Sequence, residues 1–201
     1  MTKPNEIKIE EYRKPQHQIE SIILKRWSPR AMSGEKITKE QLMTLFEAAR
    51  WAPSSYNNQP WRFVYAFRET PQWEKLFNLM GEFNQSWAKN AAVLIVIFSK
   101  NKFDHNGENA ITHSFDTGAA WENLALQAEK MGLLSHGMQG FEYVKAKTEL
   151  NIPEDYTVEA MCAIGKPGKI EDLPEQLQNM EKPSNRKEIN EFAFEGIFEK
   201  S

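Results

Sequence analysis

The run Arg26-Trp27-Ser28-Pro29-Arg30 sets two guanidinium groups around a hydroxyl. A guanidinium can grip a phosphate through two parallel hydrogen bonds, and a serine hydroxyl adds a third, so these residues can form a compact anion site. The same run also reads as a surface cap, because arginines near a helix C-terminus favour the helix dipole. A second candidate is Ala52-Pro53-Ser54-Ser55-Tyr56-Asn57-Asn58-Gln59-Pro60-Trp61, in which two prolines bracket small polar side chains. Ser and Asn satisfy backbone groups locally, which makes this stretch a well-built turn. A turn needs only four residues; the surplus hydroxyls and amides can offer a polar platform to a flat heteroaromatic ring.

Other reactive side chains carry less. His17, His105, His113 and His136 match no common metal spacing. His136 is weighed as a proton donor against a satisfied structural histidine, and His113 reads as part of the entry turn of a helix. The single cysteine, Cys162, lies in the apolar run Val158 to Ile164 with no activating cation near it in sequence, and reads as a small buried apolar residue. The six tryptophans read as core or interface packing.

These groups need elements to position them. Ile19, Ile22 and Ile23 share helical spacing ahead of Ser28-Pro29, where the residue before proline avoids the helical region. Thr38 and Gln41 form a capping box for a helix whose Leu42, Leu45, Phe46 and Ala49 line one face, and Pro53 ends it. Trp61 to Phe67 alternates as a strand, and Ala91 to Phe98 reads as a buried one. Helices are expected around Gln72 to Met80 and leading to Lys89. Asp116 or Ser114 is placed to cap a long helix rich in small residues, running to Met131 and stopped by Gly132. A short helix, Tyr143 to Leu150, precedes a strand from Thr157 to Ile164. Gly165 to Arg186 reads as a long loop, and Glu171 to Lys187 as solvated. Glu191 to Phe198 alternates without a neighbouring strand and is suited to joining a sheet, including that of another subunit. The result is a mixed α+β domain around one sheet, spanning residues 16–201 behind a flexible tail of residues 1–15. No strand is followed by a glycine-rich dinucleotide fingerprint, which argues against a Rossmann site.

Composition narrows the function. With 40% hydrophobic and 26% charged residues over 201 positions, the chain has the balance of one ordinary soluble domain. A net charge of -3 gives no sign of a nucleic-acid surface. The longest apolar run, Ala91 to Phe98, falls far short of the about 20 residues that span a bilayer. The N-terminus lacks the apolar run of a signal peptide, and a lone cysteine gives no sign of an oxidising compartment. A soluble cytoplasmic protein without membrane contact is expected.

The Arg-x-Ser-x-Arg element, followed about two dozen residues later by Pro-Ser-Ser-x-Asn-x-Gln-Pro-Trp, resembles the nitroreductase family of FMN enzymes. The likeness continues through Asp116 to Leu124, Gly132-Leu133 and His136 to Phe141, and is weakest over Ser99 to Thr112. It implies an α+β nitroreductase-like fold: a central, mainly antiparallel sheet surrounded by helices, with a C-terminal extension exchanged between the subunits of a homodimer. It implies FMN as cofactor and NADH or NADPH as electron donor. Arg26 and Ser28, with Trp27 between them, are implied at the FMN phosphate and Arg30 at the pyrimidine edge. Pro53, Ser54, Ser55 and Asn57 are implied to line the ring from the other subunit, and Asn84 to bond the ring edge. Gln139 and Gly140 are implied to offer amides to the flavin N5, Met138 to pack on the ring, and Arg186 to complete the phosphate site. Ser184 departs from the pattern, since many relatives carry a lysine two residues before that arginine; Lys182 and Lys187 are the candidate substitutes. The implied activity is ping-pong reduction of a nitroaromatic, quinone or similar small aromatic or conjugated substrate. Enone reduction or desaturation on the same flavin fold, and flavin binding without efficient turnover, are the alternatives.

Overall fold

The computed structural model describes residues 7–198. Residues 1–6 of the expected tail and the last three residues of the chain lie outside the described residues. Two short helices, α1 (Ile9–Tyr12) and α2 (Ser21–Lys25), open the chain, and α3 (Lys39–Arg50) follows. The capping box of α3 forms as its sequence demands: Gln41 N–H donates to Thr38 Oγ1 at 3.1 Å, and Thr38 N–H to Gln41 Oε1 at 2.9 Å. Next come β1 (Trp61–Phe67), α4 (Trp73–Phe77), α5 (Glu82–Ala88) and β2 (Val93–Lys100). The long helix α6 (His113–Lys130) leads to β3 (Leu134–Met138), α7 (Tyr143–Glu149), β4 (Tyr156–Gly165) and α8 (Glu175–Gln178).

The strands form one antiparallel sheet in the order β1-β2-β4-β3. Helices cover both of its faces, so the inner strands read as continuous apolar runs rather than alternating ones. On one face Val93, Ile95, Ile97, Cys162 and Ile164 pack with Leu42, Leu45 and Ala49 of α3 and with Ala120, Leu124 and Ala128 of α6. The small residues of α6 let α3 approach closely. On the other face Leu94, Val96, Met161 and Ala163 pack with Trp73, Leu76 and Trp87. Between Ile97 and Phe98 the register skips Glu159, a bulge that frees its side chain from the ladder pattern.

Several expectations change. Where the stretch before Pro15 is described it contains α1, and Arg13 is buried because its guanidinium finds backbone carbonyls. The run Glu171 to Lys187 is solvated only in part: most of its residues are exposed, but it contains α8, and Leu173, Leu177, Glu181 and Pro183 are buried. Leu173, just before α8, and Leu177, within it, join the core, and the buried Glu181 carboxylate takes the N–H groups of Arg30 and Ala31. Neither Ser114 nor Asp116 caps α6, which starts at His113. Asp116 instead sits in the first turn, where negative charge suits the helix dipole, and accepts from Ser55 N–H at 3.1 Å. The strand β3 was not expected. The segment after Glu188 makes a short 3-10 turn and joins no strand of its own sheet, leaving Phe192, Ile197 and Phe198 exposed.

Candidate functional site

The Arg26 to Arg30 run follows directly on α2, and Pro29 keeps it extended. It lines a cavity of about 300 Å³ that also gathers Arg13, His136, Gly137, Lys182, Ser184 and Arg186. Arg26, Trp27, Ser28, Arg30 and Arg186 are thus brought together from the two ends of the chain. Of the two candidates for the missing lysine, Lys182 lines the cavity and Lys187 does not. Arg26 Nε lies 3.2 Å from Glu122 Oε1, and Arg30 Nη1 lies 3.8 Å from Glu181 Oε2, as ion pairs without hydrogen-bond geometry. The buried Nε atoms of both arginines have no hydrogen-bond partner among the described residues. Arg186 Nη1 donates to Ser184 Oγ at 3.0 Å and to its carbonyl at 3.2 Å. On a chain of net charge -3 this is a concentrated cationic pocket. Its guanidiniums and hydroxyls suit a phosphate dianion, whose oxygens accept several charge-assisted bonds.

His136, on β3, forms the floor. Its Nδ1 lies 3.1 Å from Pro29 O, so the Nδ1–H donates to that carbonyl, and its ring lies 4.6 Å from that of Trp87. Burial, with the nearby Arg30 charge, pushes its pKa down to about 4. It is therefore neutral at pH 7, and it acts as a brace for the arginine loop rather than as a proton donor.

A second group forms at the end of β3. Asn84 Nδ2 donates to Gly140 O at 3.0 Å, while Asn84 Oδ1 accepts from Trp87 Nε1 at 3.3 Å. A Cβ on Gly140 would stand 2.8 Å from Asn84 Nδ2, so a side chain there would push the Asn84 amide aside. Gln139 and Gly140 are exposed, whereas Met138 is buried in the core of the same chain. Asn84, expected at a ligand edge, thus spends one of its amide hydrogens on holding the Gly140 carbonyl.

Pro53, Ser54, Ser55 and Asn57 do not line the cavity. Their loop has Tyr56, Asn57 and Gln59 at φ of 50, 52 and 49°. Left-handed non-glycine residues cost of order 1–3 kcal/mol each and concentrate at functional sites. The strain is held by Ser54 Oγ accepting from Gln59 N–H at 3.0 Å, by Asp116, and by Asn58, which bonds the Lys102 and Asp104 backbone. Ser55 meets α6 at Asp116 and Arg26 meets it at Glu122. Six positions on a helix amount to about 9 Å along the axis and about 120° around it, so the two motifs contact different sides of α6.

Two features escaped the sequence. Arg13 lay in a polar stretch with no motif around it. Ser99, buried on β2, stands 2.7 Å from His113 Nδ1 and also bonds Glu159, which Ser114 Oγ reaches at 2.7 Å. The bulge that aims Glu159 there cannot be read without knowing the partner strand.

A helix-covered antiparallel sheet carrying a cationic pocket against its edge strand β3 defines an α+β domain with a candidate anion site. The chain belongs to the nitroreductase family, an oxidoreductase family, whose sequence model matches residues 23–166. It is similar to a solved oxidoreductase containing FMN, at 43% identity and a TM-score of 0.90, over 94% of this chain and 97% of that one. A Desulfovibrio desulfuricans protein solved in complex with FMN shares 25% identity and a TM-score of 0.69, over 89% of this chain and 96% of that one. A candidate NADH dehydrogenase/NAD(P)H nitroreductase of Archaeoglobus fulgidus is 30% identical over 158 residues, covering 77% of this chain and 88% of its own. Among the described residues no helix is long and apolar enough to cross a membrane.

Proposed function

We propose that the chain is an FMN-dependent oxidoreductase that takes electrons from NADH or NADPH and reduces a small aromatic or conjugated acceptor, a nitroaromatic or quinone, in a ping-pong cycle as a homodimer. The observation that carries this reading is the pair of buried guanidinium nitrogens, Arg26 Nε and Arg30 Nε, that make no hydrogen bond among the described residues although their arginines line the cationic cavity. A buried donor left unpaired costs about 1–3 kcal/mol, and more when charged. The arrangement makes sense if an anion with several acceptor oxygens completes it. The FMN-containing neighbours support a flavin phosphate, and the name of the Archaeoglobus relative supports a nicotinamide donor.

Bound FMN would supply the two-electron chemistry; the protein supplies grip, orientation and field. Arg26, Ser28 and Arg186 hold the phosphate, with Lys182 as the added cation and Trp27 walling the loop. Arg30 sets a fixed positive charge at the pyrimidine edge, and Asn84 holds Gly140 so that the Gln139–Gly140 backbone faces the ring. Pro53, Ser54, Ser55 and Asn57 reach the ring from the second subunit. The separation of the two motifs on α6 supports that division, as do the exposed apolar side chains of Trp51, Ile111 and Phe115. The exposed C-terminal aromatics suit an extension that wraps the partner.

Anaerobic NADH or NADPH should bleach the absorbance of the FMN-loaded protein, and a nitroaromatic or quinone should restore it. Flavin that stays oxidised would reduce the proposal to a flavin binder. Restoration by enones alone would overturn the acceptor class.

A further inference from the structure

We propose that Arg13 is an additional anion ligand of the cavity and the clasp that joins its two halves; this rests on the phosphate reading above. Arg13 comes directly after α1, outside any motif, yet its side chain is buried and lines the cavity. Nη1 donates to Leu24 O at 2.5 Å and to Arg26 O at 2.7 Å, and Nε donates to Ser184 O at 3.2 Å. The first two carbonyls belong to the end of α2 and the arginine loop. The third belongs to the segment that carries Arg186, itself bonded to Ser184. One guanidinium therefore ties the N-terminal and C-terminal parts of the pocket together.

A guanidinium has five N–H groups. Nε and Nη1 account for three of them, all spent on carbonyls. Nη2 has no hydrogen bond among the described residues and is not among the buried atoms left unpartnered, so it keeps accessible surface on a side chain that lines the cavity. Burial and the charges of Arg186 and Arg26 push the Arg13 pKa down, with Glu129 opposing them. Three crowded guanidiniums repel one another, and a dianion between them relieves the repulsion.

Binding of FMN and of riboflavin, which has the same ring and no phosphate, separates these roles. Apo-protein titrated with each flavin and followed by flavin fluorescence gives an affinity ratio. Arg13→Gln should weaken FMN about ten- to hundredfold, the range of a hydrogen bond to a charged group, and leave riboflavin within about twofold on the same basis. Arg13→Lys keeps a cation but loses the planar fork, and should lower the ratio by about fivefold or more; it provides the reading if Arg13→Gln does not fold. Adding Ser184→Lys to Arg13→Gln should return much of the FMN preference, since it places a new cation in the same cavity. Inorganic phosphate should raise the melting temperature of the wild-type apo-protein more than that of Arg13→Gln. An unchanged ratio in the variants, or equal losses for both flavins, overturns the ligand role. A wild-type protein that does not prefer FMN to riboflavin overturns the phosphate reading itself, and the inorganic phosphate shift then decides whether Arg13 binds an anion at all.

Discussion

Arg26→Ala isolates a guanidinium from the loop that carries it. The carbonyl of residue 26, which receives Arg13 Nη1, survives the substitution, so the contact between the two ends of the chain is kept. The freed Glu122 side chain is 46% exposed; loss of a surface partner of this kind costs about 1 kcal/mol or less. The apo-protein should therefore fold with nearly unchanged stability. What is lost is a buried, partly unpartnered cation in the cavity. A hydrogen bond to a charged group contributes about 1.5–3 kcal/mol, which corresponds to roughly a ten- to 150-fold rise in the FMN Kd. Equilibrium titration of apo-protein with FMN, followed by fluorescence, reads this directly, and urea unfolding of the same samples checks the fold. An FMN Kd within about twofold of wild type, a change below the smallest such bond, would refute the phosphate assignment.

The brace at His136 has a pH signature. The unfolded histidine titrates near 6.5 and the folded one at about 4, so the unfolded chain binds the extra proton between those values and stability falls as pH drops through that window. The full effect is about 3 kcal/mol at one pKa unit per about 1.4 kcal/mol, and it is absent above pH 7. Urea unfolding of wild type and His136→Gln at pH 7 and at pH 4.5 should show a steeper loss for wild type; parallel losses would contradict the neutral buried imidazole. Leu177→Ala should cost about 2–5 kcal/mol, as for a fully buried leucine, and a loss below about 0.5 kcal/mol, the scale of surface positions, would return its segment to solvent. Cys162 is buried and its thiol pKa is pushed up by burial. A thiol reagent should label it only after unfolding, and rapid labelling of the native protein would argue against its place in the core.

The parts of this molecule legible in the sequence are those with local causes. The capping box fixes α3, alternation fixes β1, and the two motifs announce themselves by composition. The unread parts depend on contacts made elsewhere. The strand β3, Leu134-Ser135-His136-Gly137-Met138, has no β-branched residue and contains a glycine, so its extended form comes from pairing with β4. Leu173 and Leu177 are isolated apolar positions in a charged run whose Met180 stays exposed, and their burial is set by the core they meet. Arg13 looks like any solvated charge until three carbonyls converge on it. Glu159 leaves the ladder pattern only through a bulge against β2. The site followed the same rule: residues 26–30 and 53–61 stand out, while the residues that brace them, His136, Asp116 and Glu181, do so from distant positions.

The most direct measurement is a crystal structure of the protein grown with FMN. The phosphate should lie between Arg26, Ser28 and Arg186 of one protomer, with Ser54, Ser55 and Asn57 of a second protomer against the ring. Flavin bound elsewhere, or a ring held by both stretches of a single chain, would contradict it.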